Sequence, residues 1–368
     1  MPQAFIRNVY EPDEVGCPVP GTAVSVTLTS AVRYAGTGTA LQLDNLWLMS
    51  GLDNAAKTMR IHLPDEYVVF SMQPGLQQRT CSGGVEFRRN HMNLHSPGRD
   101  YIYTTDGPSM ASSVFVPVDL LEQMAETYGI VPPDPDESCM FAPPPQALQR
   151  LVRLHLGATR MAREAPGTAA RAEAMQCLED ALFEALAACL RPGETQLPSL
   201  ALRNQAAIVN RFTDILMRAP HQNLFMADIC KQIGCSARTL RACCDEQLGM
   251  GPKHFLMLRR LHLVRRKLLD GNAETMSVTD VATEFGFWEL GRFSVAYRRL
   301  FGESPSFTLR QSPDFRGPET FWPYGETGTP DTWYGDSWAA AMAWVQNAGL
   351  RTAGQSAAQS AAQGAAWN

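Results

Sequence analysis

The sequence predicts an α+β multidomain chain: a β-rich barrel or sandwich with flanking helices, then an all-α domain with two helix-turn-helix units. Three observations carry this. Between residues 22 and 117, short runs of β-branched and aromatic residues alternate with Gly/Pro turn clusters. Beyond residue 119, apolar residues recur at spacings of three and four, the period of helices. The charge is also divided. Residues 201–311 carry 16 Lys/Arg against 10 Asp/Glu, and the remainder carries 16 against 27, so the net charge of −5 conceals a basic segment joined to an acidic one. A chain of 368 residues has material for two or three domains.

Residues 1–21 read as a Pro/Gly-rich lead-in. Strands are expected at 23–29, 41–43, 59–63, 67–70, 85–87, 101–103 and 114–116, separated by turn clusters such as Ser82-Gly83-Gly84 and Pro97-Gly98. Helices follow at 119–128, 146–163 and 168–190, with a Pro-rich break at 132–145. In the last helix Met175, Leu178, Leu182, Ala185 and Cys189 form a narrow seam of coiled-coil type, a candidate for self-association. Residues 1–190 therefore read as one domain, 191–200 as a linker and 201–311 as the basic domain. Its first helix spans 203–218 and is buried through Ile208, Phe212 and Leu216. The segment 312–368 holds five of the seven tryptophans ahead of an Ala/Gln/Ser run and reads as a low-complexity, disordered tail. No apolar run approaches the roughly 18 residues of a membrane span, and the N-terminus lacks a charged-then-apolar leader, so the chain is expected in the cytoplasm. Nine scattered cysteines read as reduced core thiols.

Within the basic domain one arrangement occurs twice, at about 226–245 and 278–299. In the first unit Met226, Ile229 and Ile233 give a short helix its apolar face, Gly234 breaks it, Cys235 plugs the turn and Ser236 stands where an N-cap belongs. The second helix buries Leu240, Cys243 and Cys244 and leaves Arg238 and Arg241 on another face. In the second unit a helix from Val278 ends before Gly286, and Phe287 is the plug. The next helix is buried through Phe293, Ala296 and Tyr297, leaving Arg292, Arg298 and Arg299 outward. A long basic helix from Pro252 to Leu269 joins the two. The major groove of DNA, about 12 Å wide, admits one such helix, and two units on one rod reach successive grooves about 34 Å apart.

Asp228-Ile229, Gly234, Ser236, Thr239-Leu240, Gly249-Met250 and Pro252, followed by Arg260-Leu261, Ser277-Val278, Val281-Ala282, Gly286-Phe287, Arg292-Phe293-Ser294, Phe301-Gly302 and Ser304-Pro305, resemble the AraC/XylS family of bacterial transcription regulators in order and spacing. The resemblance covers roughly residues 201–311. It implies a regulator, activating in sign, that binds double-stranded promoter DNA and meets RNA polymerase. It also implies a cupin-like N-terminal barrel that binds a small-molecule effector, and a homodimer formed through the helix after the barrel.

By position in the family's motif, base contacts fall on Arg238, Arg241 and Ala242 in the first unit and on Gly291, Arg292 and Val295 in the second. The arginines fit on chemistry too, because a guanidinium matches guanine O6 and N7 bidentately. Ser236, Thr239, Ser294 and the basic residues of the connecting helix are expected to position the protein on phosphate. The chain departs from the family's habit at Ala242 and Val295, usually polar or basic, at Cys244, usually aromatic, and at Val264, usually alanine. Ala and Val still contact a thymine methyl.

Other chemistries fit less well. Gly36-Thr-Gly38 begins a dinucleotide fingerprint that Leu41 ends. His91 and His95 on an extended strand would lie about 13 Å apart, too far to share one zinc. Neither a cofactor nor a metal nor enzymatic activity is expected. The alternatives are a ligand-independent regulator or repressor, and a cupin metalloenzyme that carries a DNA anchor.

Overall fold

The computed structural model describes residues 3–74, 78–130, 134, 137–164, 172–191, 195–196, 199–218 and 224–311. The expected tail at 312–368 lies outside these residues. The β-rich part contains β1 (Gln3–Val9), β2 (Ala23–Leu28), β3 (Gly36–Gln42), β4 (Trp47–Asp53), β5 (Lys57–His62), β6 (Tyr67–Met72) and β7 (Thr80–Ser82). It continues with β8 (Val85–Glu86), β9 (Met92–His95), β10 (Asp100–Thr105), β11 (Ser109–Pro117), β12 (Cys139–Phe141) and β13 (Thr195–Gln196). Helices α1 (Val118–Tyr128), α2 (Pro145–Glu164) and α3 (Ala172–Cys189) accompany it. The helical part follows: α4 (Leu200–Arg218), α5 (Met226–Ile233), α6 (Ala237–Leu248), α7 (Pro252–Leu269), α8 (Val278–Glu284), α9 (Leu290–Phe301) and α10 (Pro305–Arg310).

The strands form two antiparallel sheets, ordered β1-β3-β4-β11-β6-β9-β12-β13 and β2-β5-β10-β7-β8. The sheets face each other and do not close, so the expected barrel is an open one. Polar ties cross between them. Tyr103 on β10 shares hydrogen bonds with Ser71 (2.8 Å) and His95 (2.5 Å), and the Lys57 ammonium on β5 donates to Asp53 and Ser109 at 2.7 Å each. The opposite face of the larger sheet buries Leu41, Leu48, Phe70 and Val114 against Leu151 of α2 and Leu182 of α3. Alternation along each strand therefore serves two apolar layers.

Several strands escaped the sequence reading. β1 lies in the expected lead-in and pairs along its whole length with β3, which itself starts at Gly36 and not at Leu41. β4 was missed because Trp47-Leu-Met-Ser-Gly-Leu is apolar towards both faces and shows no alternation. β12 occupies the Pro-rich break, and β13 pairs with it inside the expected linker. The seam on α3 is accounted for differently. Met175, Leu182, Ala185 and Cys189 are buried in the chain's own core, so self-association would require a different face.

The helical part does not hang free of the sheets. Val9, Val26, Leu28, Tyr34 and Ala55 share one apolar cluster with Leu258, Leu261 and Val264 of α7 and with Phe293 and Tyr297 of α9. Ile102 of β10 joins the cluster around Phe212, Ile229 and Leu240. Among polar ties, Arg60 pairs with both Asp100 (2.6 Å) and Asp214, and the Asn210 side-chain amide donates to the Asp100 carbonyl at 3.2 Å.

Candidate nucleic-acid interface

Each unit is built as its residues dictate. Gly234 takes φ 78°, a left-handed conformation that side chains disfavour, and its N–H closes α5 on the Cys230 carbonyl at 3.0 Å. Ser236 is extended and its Oγ accepts the Thr239 N–H at 3.0 Å, so α6 starts where its N-cap stands. Ile229, Ile233, Leu240, Cys243 and Cys244 bury the inner faces of the pair. In the second unit Ser277 caps α8 through the Asp280 N–H (3.1 Å), Gly286 turns at φ 82°, and the ring of the plug Phe287 packs tilted against Phe293, with centroids 5.0 Å apart. Ala296 is half-buried beside the fully buried Tyr297. Burial raises the Cys243 thiol pKa and pushes Cys244 up to about 12, so neither is a ready thiolate.

All nine expected contact residues are exposed. On α6 and at its cap these are Ser236, Arg238, Thr239, Arg241 and Ala242; on α9 they are Gly291, Arg292, Ser294 and Val295. Arg241 lies 3.5 Å from Asp245, and Arg292 lies 3.0 Å from Glu289, both in open solvent where such pairs exchange readily for phosphate or bases. Val295 is 69% exposed, and Trp288, just ahead of α9, is 71% exposed. The sequence reading passed over Trp288. Its signal was available: an aromatic between the turn and the second outward helix, where packing would otherwise be expected.

The connecting helix departs from expectation. Of its basic residues, Lys253 and Arg266 are exposed. Arg265 instead turns to the β-rich part, binding Glu11 bidentately (2.6 and 2.7 Å) and Glu303 at 2.7 Å, with its side chain 11% exposed. Burial lowers Arg259 to about 10; nearby Asp13 opposes this shift. His262 is wholly buried, and its Nε2 accepts the Leu28 N–H at 3.0 Å. A helix expected to serve as a cationic strut towards phosphate is, on this face, the seat on which the β-rich part rests.

The β-rich part holds two adjoining cavities between its sheets. One of about 180 Å3 includes Tyr34, Lys57, Met59 and Ser109, and one of about 70 Å3 includes His95, Tyr101 and Phe115. His95 is buried against Ser71 and Tyr103, whereas His91 lies in the half-exposed turn before β9, bonded to the Arg89 carbonyl. No cluster of three metal-ligating side chains occurs among the described residues. No helix among them is long and apolar enough to cross a membrane.

Two short-helix pairs, each with a glycine turn and an outward capped or braced second helix, define a double helix-turn-helix domain. A family profile described as a helix-turn-helix domain matches residues 229–311, and that segment is a helix-turn-helix domain of the AraC type. A XylDLEGF operon transcriptional activator of Pseudomonas putida is 42% identical over 76 residues, 21% of this chain and 23% of that one. A probable thc operon regulatory protein of Rhodococcus erythropolis is 34% identical over 106 residues, 29% and 32% of the two chains. The alignments thus span about a quarter to a third of these relatives' lengths. Among solved structures, a probable AraC family transcriptional regulator from Rhodopseudomonas palustris aligns with 28% of this chain and 94% of its own, at 29% identity and TM-score 0.27. ToxT from Vibrio cholerae aligns with 84% of this chain and 99% of its own, at 12% identity and TM-score 0.27.

Proposed function

We propose that the chain is a sequence-specific DNA-binding transcription regulator, activating in sign, with a β-rich domain at 1–190 that responds to a small molecule. The observation that carries the reading is the simultaneous exposure of Arg238, Arg241 and Arg292 on two outward helices whose inner faces are fully spent on packing. In this reading Arg238, Arg241, Ala242, Gly291, Arg292 and Val295 meet base edges, while Ser236, Thr239 and Ser294 meet phosphate. Action on transcription implies contact with RNA polymerase, as the name of the P. putida relative supports. The effector reading rests on the inter-sheet cavities and on the shared core between sheets and helices. A molecule that alters the sheets thereby alters the seat of α7, and it acts only as far as it favours one arrangement over the other.

The test is selection of random duplexes by the full-length protein at moderate salt. An enriched motif with two half-sites about one helical turn apart is expected. Recovery of no sequence above random competitor would falsify the proposal.

A further inference from the structure

The two outward helices carry different surfaces. The exposed face of α6 holds Arg238, Thr239, Arg241 and Ala242 and no large apolar side chain. At α9 stand two of the most exposed large apolar side chains among the described residues. Trp288, one residue ahead of the Glu289 N-cap, is 71% exposed, and Val295 is 69% exposed. Neither packs in the core that Phe293 and Tyr297 build from the inner face of the helix. Gly291 and Arg292 precede Val295 by four and three residues and so adjoin it on the helix surface. A Cβ at Gly291 would meet nothing within 4 Å, so its absence leaves bare backbone beside Val295 that a flat surface can approach closely.

We infer that Trp288 and Val295 are specificity-determining residues that read the 5-methyl groups of thymines in the half-site entered by α9. This deepens the regulator reading above and rests on it. The first residues of a groove-entering helix meet the base edges, which puts Trp288 at the leading end and Val295 about a turn and a half into the helix. The major groove offers such side chains one apolar partner. Its other groups are hydrogen-bond donors and acceptors, from which an isopropyl group or the body of an indole gains little. A thymine methyl, in contrast, leaves water on contact as they do. The charge around the pair favours DNA over a protein as the occupant. Helix α9 holds Arg292, Arg298 and Arg299, all exposed, and no acidic residue, and Glu289 at its N-cap lies 3.0 Å from Arg292.

Uracil keeps every hydrogen-bonding group of thymine and lacks only the methyl. The full chain is titrated with a duplex recovered by selection, and with copies in which single thymines are replaced by uracil. The half-site where Arg238→Ala relaxes base preference belongs to α6, and the other to α9. At the α9 half-site each contacted methyl removed should weaken binding about fourfold, the worth of one buried CH2. In Trp288→Ala and in Val295→Ala the penalty should fall below about twofold for at least one thymine each, while any penalty at the α6 half-site stays as in the native chain. Both side chains are exposed, so the variants should keep the native fold, which circular dichroism checks. A selected α9 half-site without thymine, one indifferent to uracil, or a penalty that persists in full in both variants overturns the inference and leaves the regulator reading standing. Native affinity in both variants, with a defect that emerges only once RNA polymerase is added, would assign the pair to a protein contact and overturn it as well. A chain that selects no duplex loses the regulator reading, and this inference with it.

Discussion

Arg238 and Arg265 are arginines of the same basic segment, and their surroundings give them opposite work. Arg238 projects into solvent from the first turn of α6, while Arg265 is locked between Glu11 and Glu303. Arg238→Ala is therefore expected to cost about 1–3 kcal/mol on a selected duplex and much less on random DNA. Arg265→Ala should leave the salt dependence of DNA binding unchanged, where loss of a phosphate contact would lower the slope by about one. It should destabilise the fold by about 3–5 kcal/mol, because Glu11 and Glu303 lose their buried partner. Affinity titrations at several salt concentrations, together with urea denaturation, check both; a reduced slope for Arg265→Ala would mark it as a DNA contact after all. Trp288 is a second case, since a side chain 71% exposed contributes little to packing. Trp288→Ala should shift stability by no more than about 0.5 kcal/mol yet weaken DNA binding. An unchanged affinity would show its exposure to be without use.

Among the elements, α3 shows how a pattern can be read correctly and assigned to the wrong partner. Its three-four spacing is real, but α2, α1 and the larger sheet already cover it. Leu182→Ala should accordingly destabilise by about 2–5 kcal/mol, with a denaturation midpoint independent of protein concentration. A midpoint that rises with concentration would return the seam to an interface between copies. Periodicity reports that a face is buried and is silent on what buries it. The same limit explains what else was legible. The helix-turn-helix units could be read to within a residue or so, because Gly234, Ser236 and Gly286 are local devices whose effect needs no distant partner. β12 could not, since its partners β9 and β13 lie far along the chain, and β4 could not, although it pairs with neighbouring β3, because its apolar residues are buried towards both faces. Arg259 and Arg265 read as part of one cationic strip because sequence shows charge but not the acceptor that Glu11 offers Arg265, some 250 residues earlier.

At the scale of the whole molecule, the sheets and the helical part are joined through groups that tolerate no extra proton. His262 on α7 is held neutral, its pKa driven down to about 3 by burial and by the nearby Arg265 and Arg259, and in that form it accepts the Leu28 N–H of β2. His95 and His155 are pushed down by burial in the same direction, to about 3 and about 4. A group whose pKa is lower folded than unfolded binds its proton preferentially in the unfolded chain. The stability it supports is therefore complete above the ordinary histidine value of about 6.5 and declines as pH falls towards the folded value. Between pH 6.5 and 5 the loss through His262 alone would be about 2 kcal/mol. Because its acceptor role lies between β2 and α7, the loosening should appear first at that contact. Hydrogen exchange of the Leu28 amide, corrected for intrinsic rate, should show protection falling from pH 7 to 5. In His262→Gln, whose side-chain oxygen can accept the same N–H without titrating, that decline should be largely absent. Equal declines in the two proteins would place the pH sensitivity elsewhere and leave the α7 seat as packing alone.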